Sequence, residues 1–345
     1  MKILLTCDPE IPVPPGLYGG IERIVDGLIE EYCKLGYDVT LCANPKSKVP
    51  CKLIGWKGSR SQKPLDIIQN SWQLTRLVFS QKFDVVHSFS RLAYMTAIMP
   101  SSIPKIMSYQ REPSVKQIKK AVALSKKGSI AFTGCSHYIS DKIQPFAEAH
   151  AVYNFVPVDK YDLQTKIEKD APLVFLGRIE EIKGTHIAVE VAIKTGKRLI
   201  IAGNIPADKQ SYFDKKVKPF LNDRISYVGK VNDEQKNEIL GKALAFLMPI
   251  QWNEPFGIVM AEAMACGTPV IGFGTGAVPE VIENNVTGYV CNTIEEMTRK
   301  VSLVGSLDRK VIRQSVEVRF NKTEIAKQYL AIYESKIAMR RIKTI

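Results

Sequence analysis

The chain has 345 residues, 45% of them hydrophobic, which is enough for a sizeable core and suggests two domains more readily than one, so a short binding module is excluded. No apolar run reaches the roughly 18 residues of a membrane span, and the opening Met1-Lys-Ile-Leu-Leu-Thr-Cys-Asp has too short an apolar region for a signal peptide, so the cytosol is the expected location. The net charge of +13 implies a field that attracts phosphates, an anionic membrane surface or nucleic acid, without choosing among them.

In chain order, Lys2-Ile-Leu-Leu-Thr reads as a strand, followed by a Pro-rich loop to Gly19-Gly20. Ile21, Ile24, Val25, Leu28 and Ile29 then form one apolar helix face that ends near Gly36. Strands follow at Asp38 to Cys42, Val85 to His87, Pro104 to Tyr109, Ile130 to Thr133 and Val152 to Phe155, with helical or irregular stretches between them. Short apolar strands alternating with helices imply a parallel sheet covered on both faces.

After Asp159 the chain turns polar through Gln164 to Asp170, and the pattern restarts at Leu173. A helix is expected over 185–195, strands at Arg198 to Ala202 and Ile225 to Val228, a helix near 233–241, and a strand at Ala245 to Met248. From Gly257 to Cys266 the residues favour helix, Gly267 supplies a left-handed stop, and Thr268-Pro-Val-Ile restarts a strand. A short helix from Val278, a strand at Gly288-Tyr-Val, one long helix from about 294 and a last amphipathic helix over 321–341 complete the reading. The economical fold is α/β: two doubly wound, Rossmann-like parallel-sheet domains facing across a cleft. The expected domains are 1–158 plus the terminal helix 323–345, and 159–322.

In such folds ligands bind beyond the carboxyl ends of strands, where helix N-termini point free N–H groups outward. Gly19-Gly20 either cradles a phosphate or makes a tight turn. Arg178 and Lys183 bracket a loop after the first strand of the second half, as an anion clamp or a solvated turn. Glu254 stands in the turn that feeds a helix, and Glu262 lies within that helix among Ala261, Ala263, Met264 and Ala265. That setting buries Glu262, and a buried carboxylate needs a partner such as a pair of sugar hydroxyls.

The seven cysteines are scattered without a C-x-x-C pair and read as small hydrophobes. Lysines 116, 119, 120, 126 and 127, those of 209–218, and Lys336, Arg340, Arg341 and Lys343 read first as solvated helix faces and second as a patch for peripheral contact with an anionic membrane. None belongs to a recognisable nucleic-acid module, so no specific nucleic-acid partner is expected. The sequence carries no signal for oligomeric state.

Gly19-Gly20, "GRIEEIKG" at 177–184 and above all "EPFGIVMAEAMACGTPVIGFGTGAVPEVI" at 254–282 resemble family 4 of the retaining glycosyltransferases, which have the GT-B fold. The start "PPGLYGG" looks more like members that use UDP-glucose or related UDP-sugars than GDP-sugars. The resemblance implies that Arg178 and Lys183 neutralise the donor diphosphate and that Gly20, beside Gly19, packs against phosphates or sugar. It further implies that Glu254 contacts donor sugar hydroxyls, that Glu262 holds the ribose, and that backbone groups at Phe256, Gly257, Ile258 and Val259 complete the donor site. His87 is a family-like position facing the cleft and counts with Glu254, Arg178 and Lys183 among the catalytic candidates. Many members carry a histidine that contacts the donor sugar where this chain has Gln110, followed by Arg111, so either one of these supplies that hydrogen bond or the acceptor is held differently.

The implied reaction moves a hexosyl group from a nucleotide-sugar to a saccharide, glycolipid or other hydroxyl acceptor, with no cofactor and no metal, in keeping with the lack of a D-x-D triplet. Retention is implied to come from same-face attack with the donor phosphate as base. The alternatives are a GT-B epimerase or hydrolase, or a non-catalytic protein that binds polyanions.

Overall fold

The computed structural model describes residues 1–16 and 19–342. Leu17 and Tyr18 of the PPGLYGG run, and Lys343 of the basic tail, lie outside the described residues. Two compact units result, Met1–Asn154 joined by the chain from Lys322 onward, and Phe155–Asn321.

The first unit contains β1 (Lys2–Thr6), α1 (Gly20–Lys34), β2 (Asp38–Ala43), β3 (Lys52–Gly55), α2 (Pro64–Gln81), β4 (Val85–Ser88), β5 (Lys105–Tyr109), α3 (Val115–Leu124), β6 (Ile130–Gly134), α4 (His137–Ser140) and β7 (Ala149–Ala151). Its sheet runs β3-β2-β1-β4-β5-β6-β7, and all neighbouring strands are parallel. Ile3, Leu4 and Leu5 are fully buried, as expected of a central strand covered on both faces. Ile24, Val25, Leu28 and Ile29 bury the inner face of α1.

Two elements of this unit differ from the sequence reading, the unexpected strand β3 and the position of β7. The strand expected at Val152 to Phe155 lies earlier, at Ala149–Ala151, because its partner β6 ends at Gly134, opposite Ala151. The Val152 N–H still reaches Gly134 O at 2.9 Å, and beyond it there is no strand edge left to pair with. The segment between β3 and β4, which has no regular apolar alternation, forms the long helix α2. Pro64 opens it with a preset φ, and Asn70 ties it to both the N–H and the C=O of Gly58.

The second unit contains β8 (Leu173–Leu176), α5 (Thr185–Thr195), β9 (Leu199–Ala202), α6 (Gln210–Lys216), β10 (Ile225–Tyr227), α7 (Asp233–Gly241), β11 (Ala245–Met248), α8 (Ile258–Ala265), β12 (Val270–Phe273), α9 (Val278–Val281), β13 (Gly288–Cys291), α10 (Ile294–Val301) and α11 (Arg309–Arg319). The sheet order β10-β9-β8-β11-β12-β13 reverses direction between β8 and β11, the arrangement of a doubly wound nucleotide-binding sheet. One long helix was expected from 294. The chain instead breaks between Val301 and Arg309, where a 3₁₀ turn holds Gly305 and Asp308 caps the new helix by accepting from the Lys310 N–H.

The last helix, α12 (Lys322–Ile342), belongs to the first unit. Lys322 pairs with Glu30 at 2.7 Å, Thr323 donates to Glu31 at 2.9 Å, and the Tyr333 hydroxyl meets that of Tyr32 at 3.1 Å.

Candidate functional site

In the second unit the carboxyl ends of β8, β11 and β12 are side by side, and the three loops that leave them are stitched together. Gly184 ends the first loop at φ 74, and a Cβ there would stand 1.9 Å from the Pro249 carbonyl oxygen, so only glycine allows the two loops to approach this closely. The Gln251 N–H donates to Ile182 O at 2.8 Å. From the third loop, the Ala277 N–H donates to Glu254 O at 2.8 Å, and the Thr275 hydroxyl to Trp252 O at 2.9 Å.

These bonds hold a charged cluster. Lys183 Nζ donates to Glu254 Oε2 at 2.8 Å and lies 4.9 Å from the centre of the Trp252 ring, whose Nε1–H donates to the same oxygen at 3.0 Å. Arg178 stands 2.8 Å from a carboxylate oxygen of buried Glu180, as an ion pair without hydrogen-bond alignment, and its side chain is 42% exposed. The two expected cations are therefore each balanced by a glutamate. Lys183 keeps two further donors and Arg178 an exposed guanidinium, so both retain the means to meet an anion.

Helix α8 begins beside Glu254. Its N-cap, Gly257, has φ 79 and brings no side chain to the first N–H groups, which have no acceptor inside the helix. Gly257, Ile258 and Val259 are half-exposed, whereas Phe256 is buried edge-on to Phe320, so Phe256 offers only its backbone. Glu262 is buried one turn further on. Its Oε1 accepts from the Tyr161 hydroxyl at 2.7 Å and from Lys236 Nζ at 2.5 Å. Burial of this carboxylate therefore does not by itself demand a ligand, because the protein supplies both partners. Each glutamate binds the protein through one oxygen, and among the described residues Glu254 Oε1 and Glu262 Oε2 make no hydrogen bond.

The expected residues of the first unit are arranged differently. His87 is fully buried, with Nε2 2.6 Å from the Ser108 hydroxyl and Nδ1 bonded to the Tyr333 hydroxyl. Burial lowers its pKa to about 3, which keeps it neutral. His87 is thus a core residue that joins β4 to α12, which corrects the expectation that it faces a ligand.

Gly19 is buried against Pro15 and Glu22, and a Cβ on it would stand 2.6 Å from Pro15 Cβ. Glu22 in the first turn of α1 is itself buried, and burial raises its pKa. Asp8 nearby is pushed up to about 6 by burial and by the charge of Glu10, with Arg111 opposing from 3.9 Å. A phosphate held at Gly19 and Gly20 would meet these carboxylates, so the first turn of α1 is no ready anion cradle. Gln110 sits just past β5, where its Oε1 accepts from Asn154 Nδ2 at 2.8 Å and its buried Nε2 has no partner. Arg111 is exposed.

Sequence reasoning gave no role to Trp252, Lys236, Tyr161, Glu180 or Asn154. Trp252 had a signal, an aromatic residue two positions from Glu254 in a loop. Lys236 and Tyr161 had none, because they reach Glu262 from 26 and 101 positions away in the chain. Among the described residues no group of three His, Cys, Asp or Glu side chains could hold a metal ion, and no helix is long and apolar enough to cross a membrane.

Comparison with known proteins places this geometry. Residues 18–159 match the model of Glycosyltransferase Family 4, and residues 159–310 that of the Glycosyl transferases group 1. The protein YtcC of Bacillus subtilis (strain 168) is 24% identical over 97% of this chain and 92% of its own. Two solved structures share the fold. AviGT4, a glycosyltransferase involved in avilamycin A biosynthesis, has a TM-score of 0.75 at 24% identity over 98% of both chains. HepE of Anabaena, solved in complex with UDP and glucose, has a TM-score of 0.74 at 17% identity over 97% of this chain and 100% of its own. With two successive family models matched in chain order across both sheets, the chain belongs to the family 4 glycosyltransferases of the GT-B fold and transfers a hexosyl group from a nucleotide-sugar to a hydroxyl acceptor.

Proposed function

We propose that the donor is UDP-glucose or a related UDP-sugar, bound by the second unit, and that transfer retains the anomeric configuration without a divalent ion. The observation that carries this reading is the junction of three loops at Glu254, which sets Lys183, Trp252 and the open end of α8 around one point beyond β8, β11 and β12. Arg178, Lys183 and the N–H groups of Gly257, Ile258 and Val259 stabilise the diphosphate as it departs and gains charge. Oε1 of Glu254 accepts from sugar hydroxyls, and Oε2 of Glu262 from the ribose. The acceptor hydroxyl attacks from the face the diphosphate leaves, and a donor phosphate oxygen takes its proton. The preference for UDP is supported by the PPGLYGG start and by HepE, which was solved with UDP and with UDP-glucose.

The first unit, with Gln110 and Arg111, is the acceptor side in this reading. The acceptor is a saccharide or glycolipid, and the excess of 48 Lys+Arg over 35 Asp+Glu supports work at an anionic surface. Calorimetry with UDP, GDP and ADP tests the donor site. UDP is expected to bind most tightly, and Arg178→Ala is expected to weaken it by about 1.5 kcal/mol, the lower end for a charge-assisted hydrogen bond because the side chain is partly screened by solvent. GDP preferred over UDP, or UDP affinity unaffected by loss of Arg178 and of Lys183, would overturn the assignment.

A further inference from the structure

Helix α2 has a well-packed inner face, where Asn70, Leu74, Leu77 and Val78 are buried. Its outer face is also apolar. Leu65 is 70% exposed, Ile68 66%, Trp72 57% and Phe79 58%, four of the five most exposed large hydrophobic side chains among the described residues. The spacings of three, four and seven set them on a single stripe, which at 1.5 Å per residue is about 21 Å long. A monomer in water gains nothing from gathering its most exposed apolar groups in one line, so a stripe of this kind marks a contact surface.

The fringe of the stripe is cationic. Arg76, on the same face, lies 5.7 Å from the Trp72 ring, and Lys57 lies 5.9 Å from it. Lys63 and Lys82 are exposed at the two ends of the helix. The one acid of α2, Asp66, is turned aside, where it accepts from the Ser59 and Arg60 N–H groups at 3.0 and 2.9 Å. A helix lying on water with a Trp, Phe, Leu and Ile face, basic residues at its margin and no acid on that face has the chemistry of an interfacial anchor.

We propose that the outer face of α2 docks the protein on an anionic lipid bilayer, with Leu65, Ile68, Trp72 and Phe79 entering the boundary between headgroups and acyl chains. Lys57, Lys63, Arg76 and Lys82 then meet lipid phosphates. Docking of this kind would bring the unit assigned above to the acceptor against a lipid-borne acceptor. It rests on that assignment only for its purpose, since binding to lipid needs no donor.

The test is co-sedimentation of the full chain with phosphatidylcholine vesicles that contain phosphatidylglycerol, with pure phosphatidylcholine vesicles as control. Wild-type protein is expected to sediment with the anionic vesicles and to be released by added salt. The Ile68→Asp/Trp72→Asp variant, changed only at exposed positions, is expected to lose at least about tenfold in vesicle affinity at unchanged melting temperature and UDP affinity. Lys57→Glu/Arg76→Glu, which leaves the apolar stripe intact, is expected to lose the preference for anionic vesicles. Absence of wild-type sedimentation, or equal sedimentation of Ile68→Asp/Trp72→Asp, would overturn the proposal. So would a wild-type dimer in solution that becomes monomeric in that variant, because a second copy would then cover the face. Failure of UDP to bind the wild type would instead sink the donor reading and leave the vesicle result standing.

Discussion

Replacing Glu262 by Gln keeps the shape of the side chain and removes the charge that balances Lys236. In the structure Oε1 receives the Lys236 ammonium at 2.5 Å and the Tyr161 hydroxyl at 2.7 Å, and all three side chains are buried. Removing one partner of a buried pair outright costs about 3–5 kcal/mol. The amide oxygen still accepts a hydrogen bond, so the expected loss is about 2–3 kcal/mol, the worth of the charged bond and the stranded cation. For a unit of this size that lowers the melting temperature by about 5–10 °C. Adding Lys236→Met removes the stranded charge and is expected to restore most of that stability. UDP affinity separates the ligand role from the structural one. If Oε2 of Glu262 holds the ribose, UDP binding is weakened in Glu262→Gln and remains weak in the double variant. Scanning calorimetry and titration calorimetry on the same samples measure both. A double variant that recovers UDP affinity together with its melting temperature would refute the ribose role and leave Glu262 a structural residue.

Glu254→Gln releases Lys183 from its counter-ion, so UDP affinity is expected to hold or to tighten by up to about tenfold, while transfer falls because the sugar contact is lost; parallel loss of UDP affinity and transfer in calorimetry and a product assay would show that Glu254 acts only by holding its loop. Transfer is expected to persist in EDTA; activity abolished by the chelator and restored by Mg²⁺ would reveal a carboxylate site carrying the diphosphate charge. For His87, the folded pKa of about 3 lies below the ordinary 6.5. Above pH 6.5 the ring is neutral in both states and contributes no pH dependence. As pH falls below 6.5 the unfolded chain takes a proton the folded one refuses, which costs about 1.4 kcal/mol per pH unit down to about pH 3. Asp8 and Glu22, with raised pKa values, act in the opposite direction, so the comparison must be with His87→Gln. Relative to that variant, wild-type stability in urea is expected to fall by about 2 kcal/mol between about pH 6.5 and about pH 5; parallel curves would show that His87 titrates freely.

The sequence by itself determined most of the α/β pattern, because the buried strands are short apolar runs and several helices carry their own start or stop signals. The helix expected from Gly257 appears as α8 and is followed by Gly267 at φ 79, since a left-handed residue is a local requirement that glycine meets at least steric cost. Where an element depends on a distant partner, local reading failed. Strand β7 is placed by the end of β6, whereas the break before α11 is a local turn that apolar periodicity alone does not register.

The candidate site divides along the same line. The E-x7-E spacing, the loop cations and the glycine at the start of α8 were legible as residues, because their order along the chain carries the family likeness. What each touches was decided by tertiary structure alone. Lys236 neutralises and Tyr161 hydrogen-bonds a carboxylate that looked in need of a ligand, Trp252 and Lys183 share one oxygen of Glu254, and a histidine that looked catalytic is closed inside the first core by Ser108 and Tyr333. The outer stripe of α2 was hidden for the same reason. Its sequence reads as apolar on nearly every side, and only packing of Leu74, Leu77 and Val78 inward leaves Leu65, Ile68, Trp72 and Phe79 facing water. Local chemistry fixes which backbone shapes a segment can adopt, whereas charge balance and exposure depend on atoms brought in from elsewhere in the chain.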